Sequence, residues 1–348
     1  YGTFEGGVGF ANTLAERLSC DANDDGEKLP AADVVACLRG VAIADILPNQ
    51  DVPAGALNTP WKPVIDGQFL TTDPMISISK GDIKDCEVLV GSNKNEAAFF
   101  VMRADGFSAD GMTPAQFESS VKFLFPDANS FGVDAIVFEY TPWEEPNDGA
   151  GAGLRDATVM TLTDVIFKCP ATDFARGCAD NGQAVYFYQF AERPSSTPPD
   201  NEWMGVVHGA ENDYIFGRPL DPTSSDFTDE EVELSRMMLT YWGNFAKTGN
   251  PNKAAAGDPD GPWPMYTADE RKYLVLDASI NDTDTIMTGP DSVKCAFWKT
   301  YYPTLQTKTG DLDEAESNWK NQFAAWNTKI ANWDDEFRKY QEGKQCDV

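Results

Sequence analysis

Histidine is almost missing from this chain: 348 residues contain one, His208. Positive charge is scarce too, with 27 Lys and Arg against 56 Asp and Glu and a formal net charge of −29. That balance excludes electrostatic binding of nucleic acid, predicts repulsion from anionic membrane surfaces and favours a cationic partner. No apolar run reaches the ~18 residues needed to cross a bilayer, so no direct membrane span is expected. Calcium ligands are incomplete. Asp21-x-Asn23-x-Asp25-Gly26 imitates the opening of an EF-hand loop, yet its twelfth position is Ala32 instead of a bidentate glutamate. Neither a metal nor a cofactor is called for.

What is present is ample material for a large core, with 42% hydrophobic and 12% aromatic residues. The length fits one large domain or two small ones. The chain opens Tyr1-Gly2-Thr3 without a methionine or signal sequence, and is expected to be a piece of a longer product. Seven cysteines, an acidic surface and the sequon Asn281-Asp282-Thr283 favour a secreted, disulfide-bonded protein glycosylated at Asn281. An odd cysteine count leaves one thiol for pairing between chains.

Residues 11–40 read as helix, acidic loop and helix, closed by Cys20 and Cys37. Glu87-Val88-Leu89-Val90-Gly91 is a β-branched run ending in glycine, which fits a buried parallel strand entering a loop. The ends of parallel strands are where α/β proteins place their chemistry, so Glu96 stands where an acid that orients a histidine belongs. From pattern alone a surface carboxylate fits as well. Helices are expected from Thr113 to Val165, with a break at Pro142 to Gly153, and from Asp156 to Ala179 with an interruption at Cys169-Pro170. Gln183 to Phe190 and Tyr273 to Asp277 read as strands. Phe227 to Lys247 is an amphipathic helix with Thr228 and Glu231 as a capping box.

His208 is flanked by Gly205 and Gly209, which let the backbone turn sharply and bring a side chain to a ligand. A hydrogen-bonded core histidine is the alternative. Farther on, residues 311–340 contain neither proline nor glycine, and Trp319, Trp326 and Trp333 recur every seven residues. Seven residues fall ~20° short of two helical turns, so the three indoles share one face, with Phe323, Phe337 and Tyr340 at neighbouring positions. Such a stripe either packs on its own domain or needs a partner, because a wholly aromatic exposed face aggregates.

Five phrases carry a resemblance: Cys37-Leu38-Arg39; Pro63-Val64-Ile65-Asp66-Gly67; Val88-Leu89-Val90-Gly91 with Glu96 and Phe100 at fixed offsets; Trp203-Met204-Gly205-Val206-x-His208-Gly209-x-Glu211 followed by Ile215-Phe216-Gly217; and Asp311 to Glu316 with the three tryptophans. In this order and spacing, from about Gly9 to the C terminus, the chain resembles the cholinesterases of the carboxylesterase branch of the α/β-hydrolase fold. The resemblance implies an α/β fold, the C-terminal half of a mixed, mostly parallel sheet flanked by helices over residues 1–310, and an amphipathic tetramerisation tail over 311–348. It implies hydrolysis of choline esters by acyl transfer, with His208 as the acid–base group and Glu96 as its orienter. No Gly-x-Ser-x-Gly occurs, so the nucleophilic serine is expected in an N-terminal part of the same enzyme.

Trp203, Phe99 and Phe100 match family positions around the choline site, and an ungapped count puts Leu57 and Thr59 in the acyl pocket. Two smaller side chains there would admit butyryl as well as acetyl esters, within about tenfold of each other. The family pattern pairs Cys20 with Cys37 and Cys169 with Cys295. Cys86 and Cys178 are extra. Each precedes an expected strand, so a third bridge between them is predicted if those strands are parallel neighbours. Cys346 is left for another subunit, in a homo-tetramer whose tails, through Trp319, Phe323, Trp326, Trp333 and Phe337, wrap a proline-rich anchoring protein that is collagen-like or transmembrane. The localisation implied is extracellular. Two departures stand out: Ala210 replaces a tyrosine usual two residues after the histidine, and Arg103 replaces a gorge tyrosine. A non-catalytic adhesion protein and a general carboxylesterase share much of the pattern; retention of Glu96, His208 and the tail favours the cholinesterase reading.

Overall fold

The computed structural model describes residues 2–51, 60–144, 151–224, 226–255, 261–279, 285–290 and 292–310, with some of the residues between 312 and 338. Leu57, Thr59, Asn281, Tyr340 and Cys346 lie outside the described residues.

Strand β1 (Gly2–Thr3) pairs in parallel with β2 (Val64–Ile65), on either side of helices α1 (Phe4–Arg17), α2 (Ala31–Gly40) and α3 (Ile43–Asn49). Helix α4 (Pro74–Ser79) precedes β3 (Val88–Asn93), after which come α5 (Ala98–Val101), α6 (Pro114–Leu124), α7 (Ser130–Tyr140), α8 (Ala152–Thr163) and α9 (Cys169–Asp180). Next are β4 (Val185–Phe190), α10 (Glu211–Ile215), α11 (Asp229–Thr248), β5 (Lys272–Leu276), β6 (Ile286–Thr288), α12 (Ser292–Ala296) and α13 (Tyr302–Thr309).

The main sheet has the order β3-β4-β5-β6. Its first three strands are parallel, with Val88 opposite Val185 and Tyr188 opposite Leu274, and β6 runs antiparallel to β5. Strand β4 is apolar on both faces because both are covered. Tyr186 and Phe190 join Leu234 and Met238 of α11, together with Trp263. Val185 and Phe187 face the other way, onto Ala175 and Cys178 of α9. Phe187 is fully buried, and its carbonyl accepts a hydrogen bond from the Trp263 indole at 3.1 Å.

The proline at position 170 does not interrupt its helix. Between α8 and α9 a π-helical turn, Asp164–Lys168, bonds the Cys169 N–H to the carbonyl five residues back, and the helix resumes with Pro170 in its first turn. The wider turn gives the proline ring, which has no N–H to bond and would clash with the carbonyl four residues back, a place in a continuous helical run. The inner face of the wide turn is polar and anchored: Lys168 pairs with Asp164 at 3.5 Å, Asp164 accepts from the Tyr140 hydroxyl at 2.8 Å, and Tyr140 accepts from the Trp298 indole at 2.7 Å.

Two disulfides are formed, Cys20–Cys37 joining the loop after α1 to α2 and Cys169–Cys295 joining α9 to α12. The expected third bridge is not. Cys86 and Cys178 are both free thiols, although the strands they precede are parallel neighbours. Cys178 belongs to the last turns of α9, facing the sheet among Val185 and Phe187, and Cys86 is a half-buried loop residue two positions ahead of β3; the two thiols are near each other but not bonded. Burial, reinforced by the nearby Cys86, pushes the Cys178 thiol up.

The described residues between 312 and 338 all have helical backbone. Trp319 stacks on Phe323 at 5.4 Å and Phe323 meets Trp326 at 5.8 Å. These three rings, Trp333 and Phe337 are exposed. No helix among the described residues is long and apolar enough to cross a membrane.

Helix α11 begins with the expected capping box of Thr228 and Glu231. Glu231 does more than cap. Buried, it accepts from the Tyr214 hydroxyl at 2.6 Å and the Ser195 N–H at 2.9 Å, tying together the two flanks of the long connection that contains His208. Burial alone raises this carboxyl, but bonds from Tyr214, Thr228 and Ser195 outweigh it and hold the group below its ordinary 4.5. A carboxyl lower in the folded than the unfolded chain gives stability that is present above the unfolded value and lost as pH falls through the folded one. Glu231→Gln is therefore expected to lower Tm at pH 7, with the gap to the parent closing below about pH 4.5; a gap constant from pH 7 to pH 3 would contradict this.

Candidate active site

The loop after β3 returns on itself at once, because the Asn93 N–H donates to Glu96 Oε1 at 2.7 Å. Behind it the Ala97 N–H donates to Thr163 Oγ1 at 3.1 Å, and Ala97, Ala98 and Val101 pack on Val159 and Leu162 of α8. Glu96 is thereby held at 5% exposure with its second oxygen turned outward.

That oxygen meets the only histidine. His208 Nδ1 lies 2.7 Å from Glu96 Oε2, across 112 residues of sequence. The imidazole is 55% exposed, so the site is a buried carboxylate beneath an accessible ring. Burial raises the Glu96 carboxyl, Glu211 adding to it, while the Asn93 N–H and the histidine pull the other way. Such a carboxylate is short of water and depends on the hydrogen-bond donors that reach its two oxygens.

Two asparagines fasten the loops together. Asn95 is bonded at two points to Val206, its N–H to the carbonyl at 3.0 Å and its Oδ1 from the N–H at 3.1 Å. Asn93 Nδ2 donates to the Val207 carbonyl at 2.8 Å and to Glu211. Gly205 makes the first of these possible: it has φ +63°, and a Cβ there would stand 2.3 Å from Asn95 Oδ1. A second forced glycine is Gly91, where a Cβ would stand 2.3 Å from the Tyr188 carbonyl on the neighbouring strand.

Of the residues expected around the substrate, Phe100 is brought to the histidine, with ring centres 5.9 Å apart. Phe99 is its exposed neighbour on α5. Trp203 is occupied elsewhere, its ring against Phe107 at 5.6 Å and under the Arg155 guanidinium at 5.5 Å. Arg103 is exposed at the end of the same turn, and Ala210 packs in the core beside Tyr214.

Sequence reasoning missed Asn93, Asn95, Thr163, Glu211 and Phe167, the last of which contacts the imidazole at 5.0 Å. The polar run Ser92-Asn93-Lys94-Asn95 at a strand end was the available signal for the asparagines. No group of three or more metal-ligating side chains occurs among the described residues.

A parallel sheet flanked by helices, with an acid just past one strand and a histidine on a loop bonded to it, defines an α/β-hydrolase type of protein. The carboxylesterase family model matches residues 5–298, and the chain belongs to that family. It is 34% identical to acetylcholinesterase of Bungarus fasciatus over 353 aligned residues, which cover 97% of this chain and 54% of that protein. The chain thus spans about half the length of the curated relative it matches.

Gly205→Ala is expected to destabilise the fold by more than about 1 kcal/mol, because alanine is strained at positive φ and its Cβ displaces Asn95. Urea denaturation checks this; an unchanged midpoint would mean that the loops are not held through Asn95.

Proposed function

We propose that this chain supplies the histidine and the acid of a Ser-His-Glu triad that hydrolyses choline esters. The single observation behind the reading is the 2.7 Å bond between His208 Nδ1 and Glu96. With Nδ1 engaged as a donor, the neutral imidazole keeps the lone pair of Nε2 on the accessible side. Nε2 takes the proton of the serine hydroxyl as its oxygen attacks the ester carbonyl, and gives it to the departing alcohol. Glu96 fixes the tautomer and offsets the charge of the imidazolium. Water then repeats the cycle on the acyl-serine.

The nucleophile and the oxyanion donors come, in this reading, from an N-terminal part of the same enzyme. Three facts support it: the absence of a Gly-x-Ser-x-Gly here, coverage of 54% of the relative, and an edge of β3 that is unpaired among the described residues. An open apolar strand edge is a template for further strands. Ser92 Oγ and Asn93 Oδ1, buried on that strand without hydrogen-bond partners, fit the same reading.

Phe100, exposed beside the histidine, and Phe99, exposed next to it on α5, are suited to a quaternary ammonium through cation–π attraction. Trp203 already carries Arg155, which favours the second reading of a carboxylesterase for uncharged esters. Comparing acetylthiocholine with an uncharged ester of similar size separates the two; choline hydrolysis requires a clear preference for the cation. Glu96→Gln in the full-length enzyme is expected to lower kcat by about 10³–10⁴-fold at unchanged stability, since the imidazole then loses its orienting charge. A loss below about tenfold would remove Glu96 from the mechanism.

Two disulfides and an acidic surface support a secreted protein. The tail from residue 311 is read as a tetramerisation element that wraps a proline-rich strand of an anchoring protein, with Cys346 bridging subunits. Its exposed aromatic rings need such cover, and a preformed polyproline helix offers it with little ordering cost. Truncation after Gly310 is expected to give soluble monomers or weak dimers by sedimentation, and Trp326→Ala to weaken assembly more than Glu316→Ala. A truncated protein that still sediments as a tetramer would exclude the tail from assembly.

A further inference from the structure

A single hydrogen bond does not fix an imidazole. The Glu96 bond leaves the His208 ring free to swing about the Nδ1···Oε2 line, and more than half of the ring surface is open to solvent. Two phenyl rings restrict that swing. Phe167 is 5.0 Å from the imidazole centre at 44° and Phe100 is 5.9 Å away at 59°, while the two phenyls are 5.8 Å apart. The three rings close a triangle, each supporting the other two.

Phe100 comes from the short helix directly behind Glu96, but Phe167 is delivered by the π-helical turn Asp164–Lys168. That turn is built to hold it. Asp164 and Lys168 are buried and bonded inward, Cys169 is tied to Cys295, and Thr163, just before the turn, accepts the hydrogen bond from Ala97 beside Glu96. A π turn accommodates one residue more than an α turn and re-aims the side chains that follow it. Ile166, which is exposed, and Phe167, which is half-buried against the histidine, lie off that anchored face.

We propose that Phe167 is a positioning residue: presented by the π-helical turn, it clamps the His208 imidazole with Phe100 and keeps Nδ1 on Glu96 through the proton-transfer cycle. The proposal rests on the triad reading for its effect on turnover, but not for its effect on the ring itself. Held rings of this kind also favour the transient imidazolium, whose charge is attracted by the phenyl faces within about 6 Å.

The test uses the full-length protein with isotope-labelled histidine, the His208 signals being identified by their loss in His208→Gln. Phe167→Ala is expected to shift the imidazole ring protons as the neighbouring ring current disappears, and to broaden or abolish the Nδ1–H signal as that proton exchanges with water. Ester turnover is expected to lose on the order of 10- to 100-fold in kcat with KM within about twofold. Phe167→Tyr restores both. Phe167→Leu keeps an apolar side chain and serves where alanine unfolds the turn; it is expected to shift the ring protons in the same way. Imidazole signals and kcat in Phe167→Ala equal to the parent's would overturn the clamp, as would a loss confined to KM with unmoved signals, which makes Phe167 a substrate contact. A parent protein without esterase activity sinks the functional reading, while the spectra still decide the clamp.

Discussion

The bond between Glu96 and His208 is the constraint the rest of the structure serves. A carboxylate 5% exposed, next to a ring 55% exposed, is costly to charge unless every remaining lone pair is met. Its cover is supplied by the Asn93 N–H on one oxygen and the histidine on the other. The sheet fixes where the acid stands, because β3 is locked in register with β4 from Val88 to Asn93 and the loop leaves its last residue. Glu231 fixes where the histidine stands, joining Ser195 ahead of the loop to Tyr214 behind it. Removing either support is expected to lengthen the 2.7 Å bond between them.

The polar staples around that bond are short-range devices with long-range effect. Asn95 and Asn93 each reach more than a hundred residues along the chain to the backbone at Val206 and Val207. Backbone groups bonded in this way cannot drift without leaving a buried amide unpaired, which costs ~1–3 kcal/mol each. The last residue of α8 adds a second fastening, Thr163 accepting from the Ala97 N–H. The result is a carboxylate–imidazole pair on a rigid frame, the arrangement that the proposed proton transfer requires.

Much of this was legible in the sequence. Strands β3, β4 and β5 follow from short β-branched or aromatic runs, the capping box of α11 from Thr228 and Glu231, and the nearness of Glu96 to His208 from family phrases. What the sequence hid was geometry across elements. Cys86 and Cys178 precede neighbouring strands and do come near each other, yet both are free thiols, so order along the chain gave their proximity and not their bonding state. Pro170 looked like a break and is instead the first turn of a helix entered through a π turn. Phe167 carries no motif at all; only that turn makes it a neighbour of the histidine. Trp203 matches a family phrase, but Arg155, 48 residues earlier, takes its face.

In the proposed triad, a serine from outside these 348 residues completes the pair. Reaction of the full-length protein with a fluorophosphonate, followed by peptide mass mapping, tests it most directly. One labelled serine is expected, located in a segment outside the present sequence, with labelling that His208→Gln slows by orders of magnitude. A label on a serine within these residues, or labelling indifferent to His208, would contradict it.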